Sequence, residues 1–173
     1  MNRWFTRYLH GIENGVEKDA KAWIVREDDK QDSPTPYAEY PNPEASDVML
    51  YLNSGAPEKG SLSTVKSENQ GKETLIDNYS FSGETLARAE ITQHRLIYVT
   101  PTLSEDIHIS GTAKVTVTLS SSKPAANLSV WLVSLPWTES RRPKITDNII
   151  TRGWADPQNH KSISESDPLA PGK

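Results

Sequence analysis

Four histidines, His10, His94, His108 and His160, are the side chains here best suited to proton transfer near neutral pH or to metal binding. They stand far apart in sequence, and no two form the close pair that a helix or hairpin turns into metal ligands. The chain has no cysteine, which excludes a thiolate nucleophile, a disulfide framework and a Cys-based zinc site. No Gly-x-Ser-x-Gly occurs, so the tight strand-to-helix turn that exposes a hydrolase serine is missing. His-Glu-x-x-His, a Walker loop and Gly-x-Gly-x-x-Gly are absent as well. Asp28, Asp29 and Asp32 lack the spacing and glycine of a calcium loop and read as a solvated turn. Asn78-Tyr-Ser80 and Asn127-Leu-Ser129 match the glycosylation sequon, a pattern that arises easily by chance. No catalytic residue, metal or cofactor is therefore expected. Trp131 and Trp137 could form a platform for stacking a sugar, or Trp131 could simply cover a sheet face.

The elements that would carry these residues are strands. Val115, Val117 and Leu119 alternate with Lys114, Thr116 and Thr118, the period of two that marks a half-buried strand. Leu128, Val130 and Leu132 alternate in the same way with Ser129, Trp131 and Val133. Ile107 and Ile109 flank His108 in a shorter strand, and 96–99 forms another; Gly111 and the Pro124 segment supply the breaks. Such closely spaced short strands predict an antiparallel sheet, covered by a second sheet.

Further strands are expected at 20–26, 47–53, 61–63 and 144–154, the last bulged near Gly153. The segment 28–43, with Pro34, Pro36, Pro41 and Pro43, is expected to be an irregular loop, and 84–90 a helical turn or two. The arginines Arg141 and Arg142 fall in a loop after Pro136. About eight short strands without an internal repeat fit a jelly roll or an immunoglobulin-like sandwich.

One helix stands at the start. Trp4, Phe5, Tyr8, Leu9 and Ile12 share a helical face, with Arg3, Arg7 and His10 off it and Gly11 or Gly15 as the stop. A helix this short is marginal alone, so its three aromatics need a surface to dock against.

The bulk properties allow one domain with a real core in 173 residues. A net charge of −4 without a lysine or arginine block leaves no nucleic-acid footprint. No run approaches the ~20 apolar residues of a membrane span, and the start lacks the apolar core of a signal peptide. The compartment stays open between cytoplasm and a secreted or periplasmic location.

Several stretches together resemble one family. They are Arg-Trp-Phe-Thr-Arg-Tyr-Leu-His-Gly-Ile-Glu-Asn-Gly (3–15), Leu-Tyr-Leu-Asn-Ser-Gly (50–55), Gly-Ser-Leu-Ser (60–63) and the run 96–112. Thr-Arg-Gly-Trp-Ala-Asp-Pro-Gln-Asn-His (151–160) and the closing Pro-Leu-Ala-Pro-Gly-Lys (168–173) complete the set. Nearly the whole chain is similar to the C-terminal domain of the Xaa-Pro dipeptidyl-peptidase family, serine hydrolases that also include cocaine esterase.

The resemblance implies an all-β, galactose-binding-like jelly-roll sandwich with a short N-terminal helix. It would be a non-catalytic support for an α/β-hydrolase domain that carries the Ser-Asp-His triad and binds a peptide or ester substrate. None of the triad is present here, and His10 is given no catalytic role. Residues 1–15 are expected to belong to or dock on that hydrolase, through Trp4, Phe5, Tyr8, Leu9 and Ile12. Residues 16–173 are expected to form the jelly roll, lacking its last strands and so open at an edge or self-associating. Trp137, Trp154 and Asp156 are the candidates to face a ligand or the cleft. The alternative is a stand-alone carbohydrate-binding or structural interaction module.

Overall fold

The computed structural model describes residues 2–25, 33–137 and 148–172. Its regular structure is strand-rich with few helices, consistent with an all-β sandwich carrying a short N-terminal helix. The acidic cluster Asp28, Asp29 and Asp32, the loop arginines Arg141 and Arg142, and the start of the predicted 144–154 strand lie outside the described residues. No helix among the described residues is long and apolar enough to cross a membrane. Contacts group the chain into two units, Met1–Met49 with Leu103–Thr112, and Leu50–Thr102 with Ala113–Lys173.

The first unit begins with α1 (Asn2–His10), formed where the apolar spacing predicts it. Gly11 ends it with a φ of 68°, a left-handed conformation that glycine adopts without a Cβ clash. Gly15 and the 3-10 turn Val16–Lys18 then fold the chain back toward the helix. Two short strands follow, β1 (Ala22–Ile24) and β2 (Thr35–Tyr37), paired antiparallel with Trp23 opposite Pro36. The proline-rich segment is thus not wholly irregular. A two-stranded ladder leaves each strand an edge, where a proline's missing N–H is tolerated. Asn42 N–H donates to Ser110 Oγ (2.9 Å), which ties the 103–112 segment to the residues after β2.

The second unit holds two sheets and a short helix. In the first sheet β4 (Gly60–Ser63) lies between β3 (Tyr51–Asn53) and β5 (Tyr98–Val99). The β3–β4 pair is an antiparallel hairpin, but β4 and β5 run parallel, against the all-antiparallel expectation. The reason is the connection: residues 64–97 include α2 (Gly83–Arg88) and are long enough to return the chain in the same direction. The second sheet is a ribbon of β6 (Leu128–Val133) and β7 (Ile149–Ala155), antiparallel, with Ser129 opposite Trp154 and Trp131 opposite Arg152. The register slips between Leu132 and Val133, so the irregularity faces Ile150 rather than Gly153.

Two predicted strands form no ladder: 107–109, and the Val115, Val117 and Leu119 stretch. Their alternation is intact, yet Val115 and Val117 are half exposed, at 52% and 49%. Alternation states which face wants cover; a strand also needs a neighbouring backbone to pair with. Burial is concentrated at the β3–β4 turn, where Ala56 is sealed, and at Asn148, 4% exposed, at the start of β7.

Candidate functional site

Polar side chains converge at α1, at the 55–60 turn and on the β6–β7 ribbon. On α1, a rotation of about 100° per residue puts Arg3 and Arg7 on one side and Trp4, Phe5, Tyr8 and Leu9 on the other, with Ile12 just beyond the helix end. The arginine side is fully engaged. Arg3 Nη1 donates to both Asp19 carboxylate oxygens (2.9 and 3.2 Å) and Nη2 to Asn14 O (2.9 Å). Asn14 Nδ2 returns a hydrogen bond to Arg3 O at 2.7 Å. Arg7 pairs with Glu17, and that hydrogen bond holds the Glu17 carboxyl below its ordinary value. The aromatic side touches mainly itself: Trp4 meets Phe5 edge-on at 5.5 Å and Tyr8 at 4.6 Å between ring centroids. All five predicted docking residues are exposed, Leu9 most at 70%.

The 55–60 turn is gripped from both polarities of its backbone. Glu73 Oε1 accepts from Gly55 N–H and from Ala56 N–H (2.8 Å), while Oε2 accepts from Tyr98 Oη–H (2.6 Å). Burial pushes the Glu73 carboxyl up, but the hydrogen bonds from Tyr98, Ala56 and Gly55 together outweigh it and hold it below the ordinary range. Burial, with the bond to Glu73, raises the Tyr98 phenol, so Tyr98 stays a neutral donor. Arg95 works on the carbonyls of the same turn, donating to Ala56 O (3.0 Å), Pro57 O and Glu58 O (both 3.3 Å). Neither Glu73 nor Arg95 has a signature in the sequence: apart from Tyr98 Oη–H, the partners named here are backbone groups that only the fold brings into reach.

On the ribbon, Ser129, Trp131, Arg152 and Trp154 share a face by register. Trp131 is half-buried, its ring against Gly83 and its Nε1 donating to Ser129 Oγ (2.8 Å), so it covers neighbouring structure. Trp154 is 69% exposed, with the Arg152 guanidinium 5.2 Å from its ring centroid. Asp156 caps the next turn, its Oδ1 accepting from Gln158 N–H at 2.9 Å. Trp137 is half-buried, and its Nε1, itself buried, meets no hydrogen-bond partner among the described residues. The structure thus brings Trp154 and Asp156 close along one strand end and leaves Trp137 at the opposite end of the ribbon.

Three of the histidines have local contacts, and His160 Nε2 also lies 3.9 Å from Asp167 Oδ2. His94 Nδ1 lies 2.7 Å from Ile76 O and His160 Nδ1 3.0 Å from Pro157 O, each ring tied to a local carbonyl. His108 lies beside the Tyr37 ring at 6.4 Å. Among the described residues, no cluster of three or more His, Asp or Glu could hold a metal ion.

Residues 14–173 match the family described as the X-Pro dipeptidyl-peptidase C-terminal non-catalytic domain. The chain belongs to that family. The Xaa-Pro dipeptidyl-peptidase relatives are similar over its whole length. A protein of Rhodopirellula baltica, provisionally named an Xaa-Pro dipeptidyl-peptidase, is 61% identical over 173 residues, covering 100% of this chain and 28% of its own length. Proteins with the same provisional name in Bacillus anthracis and Bacillus cereus are 34% and 32% identical over 176 residues, again across 28% of their length. The chain therefore spans little more than a quarter of the curated relatives it matches. No solved structure matches it. The family description is that of a non-catalytic C-terminal domain.

Proposed function

We propose that this domain docks through the aromatic face of α1 on the α/β-hydrolase domain of its parent protein and helps to wall the substrate cleft. One observation carries the reading. The polar side of α1 is already committed to Asp19, Asn14 and Glu17, while Trp4, Phe5, Tyr8, Leu9 and Ile12 stand exposed together. A contiguous apolar patch rimmed by polar residues is what an interaction face needs. Fully burying a side chain such as Phe5 stabilises by about 1.5–3 kcal/mol, so the cluster can supply several such increments to docking.

The parent reaction would be transfer of an N-terminal Xaa-Pro dipeptide to a serine of the hydrolase, then hydrolysis of the acyl-enzyme. In that assembly Trp154 and Asp156, and Trp137 at the other end of the ribbon, would face the cleft, Trp154 with a largely exposed ring.

The test is the double substitution Trp4→Ala with Tyr8→Ala in the full-length protein. Thermal unfolding should split into two transitions or fall by several degrees, and hydrolysis of a Gly-Pro chromogenic substrate should drop. Unchanged melting and unchanged kcat/KM would refute the docking role.

A further inference from the structure

We propose that α2 is a strut that sets the position of the β6–β7 ribbon, with Arg95 as the positioning residue that holds its far end. The helix has only six residues, about 9 Å, too short to persist on its own. Ser82 Oγ caps it by accepting from Thr85 N–H (3.1 Å), and Glu84 pairs with Arg88 across one turn. The rest of its support comes from its two ends.

At the C-terminal end, Arg95 Nε donates to Leu86 O (3.0 Å), and Nη2 reaches Ala89 O and Glu90 O (3.3 Å). Nη1 of the same guanidinium holds Ala56 O, Pro57 O and Glu58 O. One planar fork therefore bonds the end of α2 to the β3–β4 turn, an arrangement that a lysine's single ammonium could not reproduce.

At the N-terminal end, Gly83 packs against the six-membered ring of Trp131. A Cβ at that position would press on Cη2 and fall 2.6 Å from Cζ2 and 2.8 Å from Cζ3, so an alanine there must push the ring aside. The Trp131 ring is itself tethered through Nε1 to Ser129 Oγ, on the strand that pairs with β7. Arg95 thus governs Trp131 through α2, and with it the ribbon that displays Trp154 and Arg152. This coupling lies wholly within the second unit and does not depend on what covers α1.

A double-mutant cycle on the 173-residue chain tests it, using Arg95→Lys and Gly83→Ala read by hydrogen exchange. The reporters are the Trp131 indole N–H at the ribbon and the Ile97 amide, which donates to Ala56 O (3.0 Å), at the turn. Arg95→Lys should speed the indole exchange about tenfold and Gly83→Ala should speed the Ile97 exchange, the double variant falling short of the product of the two. The Ile12 amide just after α1, bonded to Thr6 O, should keep its rate. Acceleration confined to each substitution's own end, factors that multiply, or equal acceleration at Ile12 would each overturn the proposal. Should Gly83→Ala fail to fold, Ser82→Ala removes the cap instead; it should move both reporters in the same direction by less, and a null effect on either overturns it.

Discussion

Arginines hold both α1 and the 55–60 turn, and they do so in opposite ways. Arg3 and Arg7 pair with the carboxylates of Asp19 and Glu17 in contact with water. Arg95 directs its fork at backbone carbonyls from two segments, with Glu73 taking the N–H groups of the same turn. An exposed ion pair exchanges one set of hydrated charges for another and changes little in free energy. A carbonyl deprived of its donor loses a charge-assisted bond and must find water instead. The turn is therefore held by its own side chains. The helix has its polar side fixed and its apolar side exposed.

Removing Arg95 is the sharpest way to break this contrast. Arg95→Ala should cost about 2–3 kcal/mol in denaturant unfolding, because carbonyls of α2 and of the turn lose their donor together. A loss no greater than that of Arg3→Ala would erase the distinction. Gly60→Ala should cost about 2 kcal/mol, since its Cβ would sit 2.7 Å from both Asn53 O and Tyr98 Cδ1 and the backbone oxygen cannot swing aside.

Glu73→Gln should cost about 1 kcal/mol and, more tellingly, change the pH profile. The fold favours the ionised carboxylate, so this contribution is complete above the ordinary value of 4.5 and fades as pH falls through the lowered folded value. Unfolding midpoints against pH should decline on the acid side in the wild type and decline less in the Gln variant. The smallest effect belongs to Arg3→Ala, a few tenths to about 1 kcal/mol, shrinking in added salt. A salt-insensitive loss there would show that Arg3 acts through its bond to Asn14 O instead.

What the sequence made legible follows from which interactions are local. The face of α1 could be read because Trp4, Phe5, Tyr8, Leu9 and Ile12 recur at helical spacing, and geometry within one helix needs no partner. The alternation of Leu128, Val130 and Leu132 located β6 for the same reason. The Val115, Val117 and Leu119 stretch has an equally clear pattern but forms no ladder, because pairing depends on a second backbone that alternation cannot specify. The parallel β4–β5 pair was hidden by the distance between its strands. Arg95 and Glu73 were illegible for a further reason. A side chain that bonds to backbone groups some 17 to 39 residues away leaves no spacing rule, since every residue offers the same N–H and C=O.

At the mouth of the β6–β7 ribbon, Asn148 Nδ2 donates to Ser134 O (3.1 Å) and Pro136 O (3.2 Å), almost sealed from solvent. Deamidation would exchange that nitrogen for an anionic oxygen facing two carbonyls, turning attraction into repulsion where little water can intervene. The branched Ile149 that follows slows the cyclisation such a lesion needs, so the junction is guarded by its neighbour's bulk as well as by its own burial.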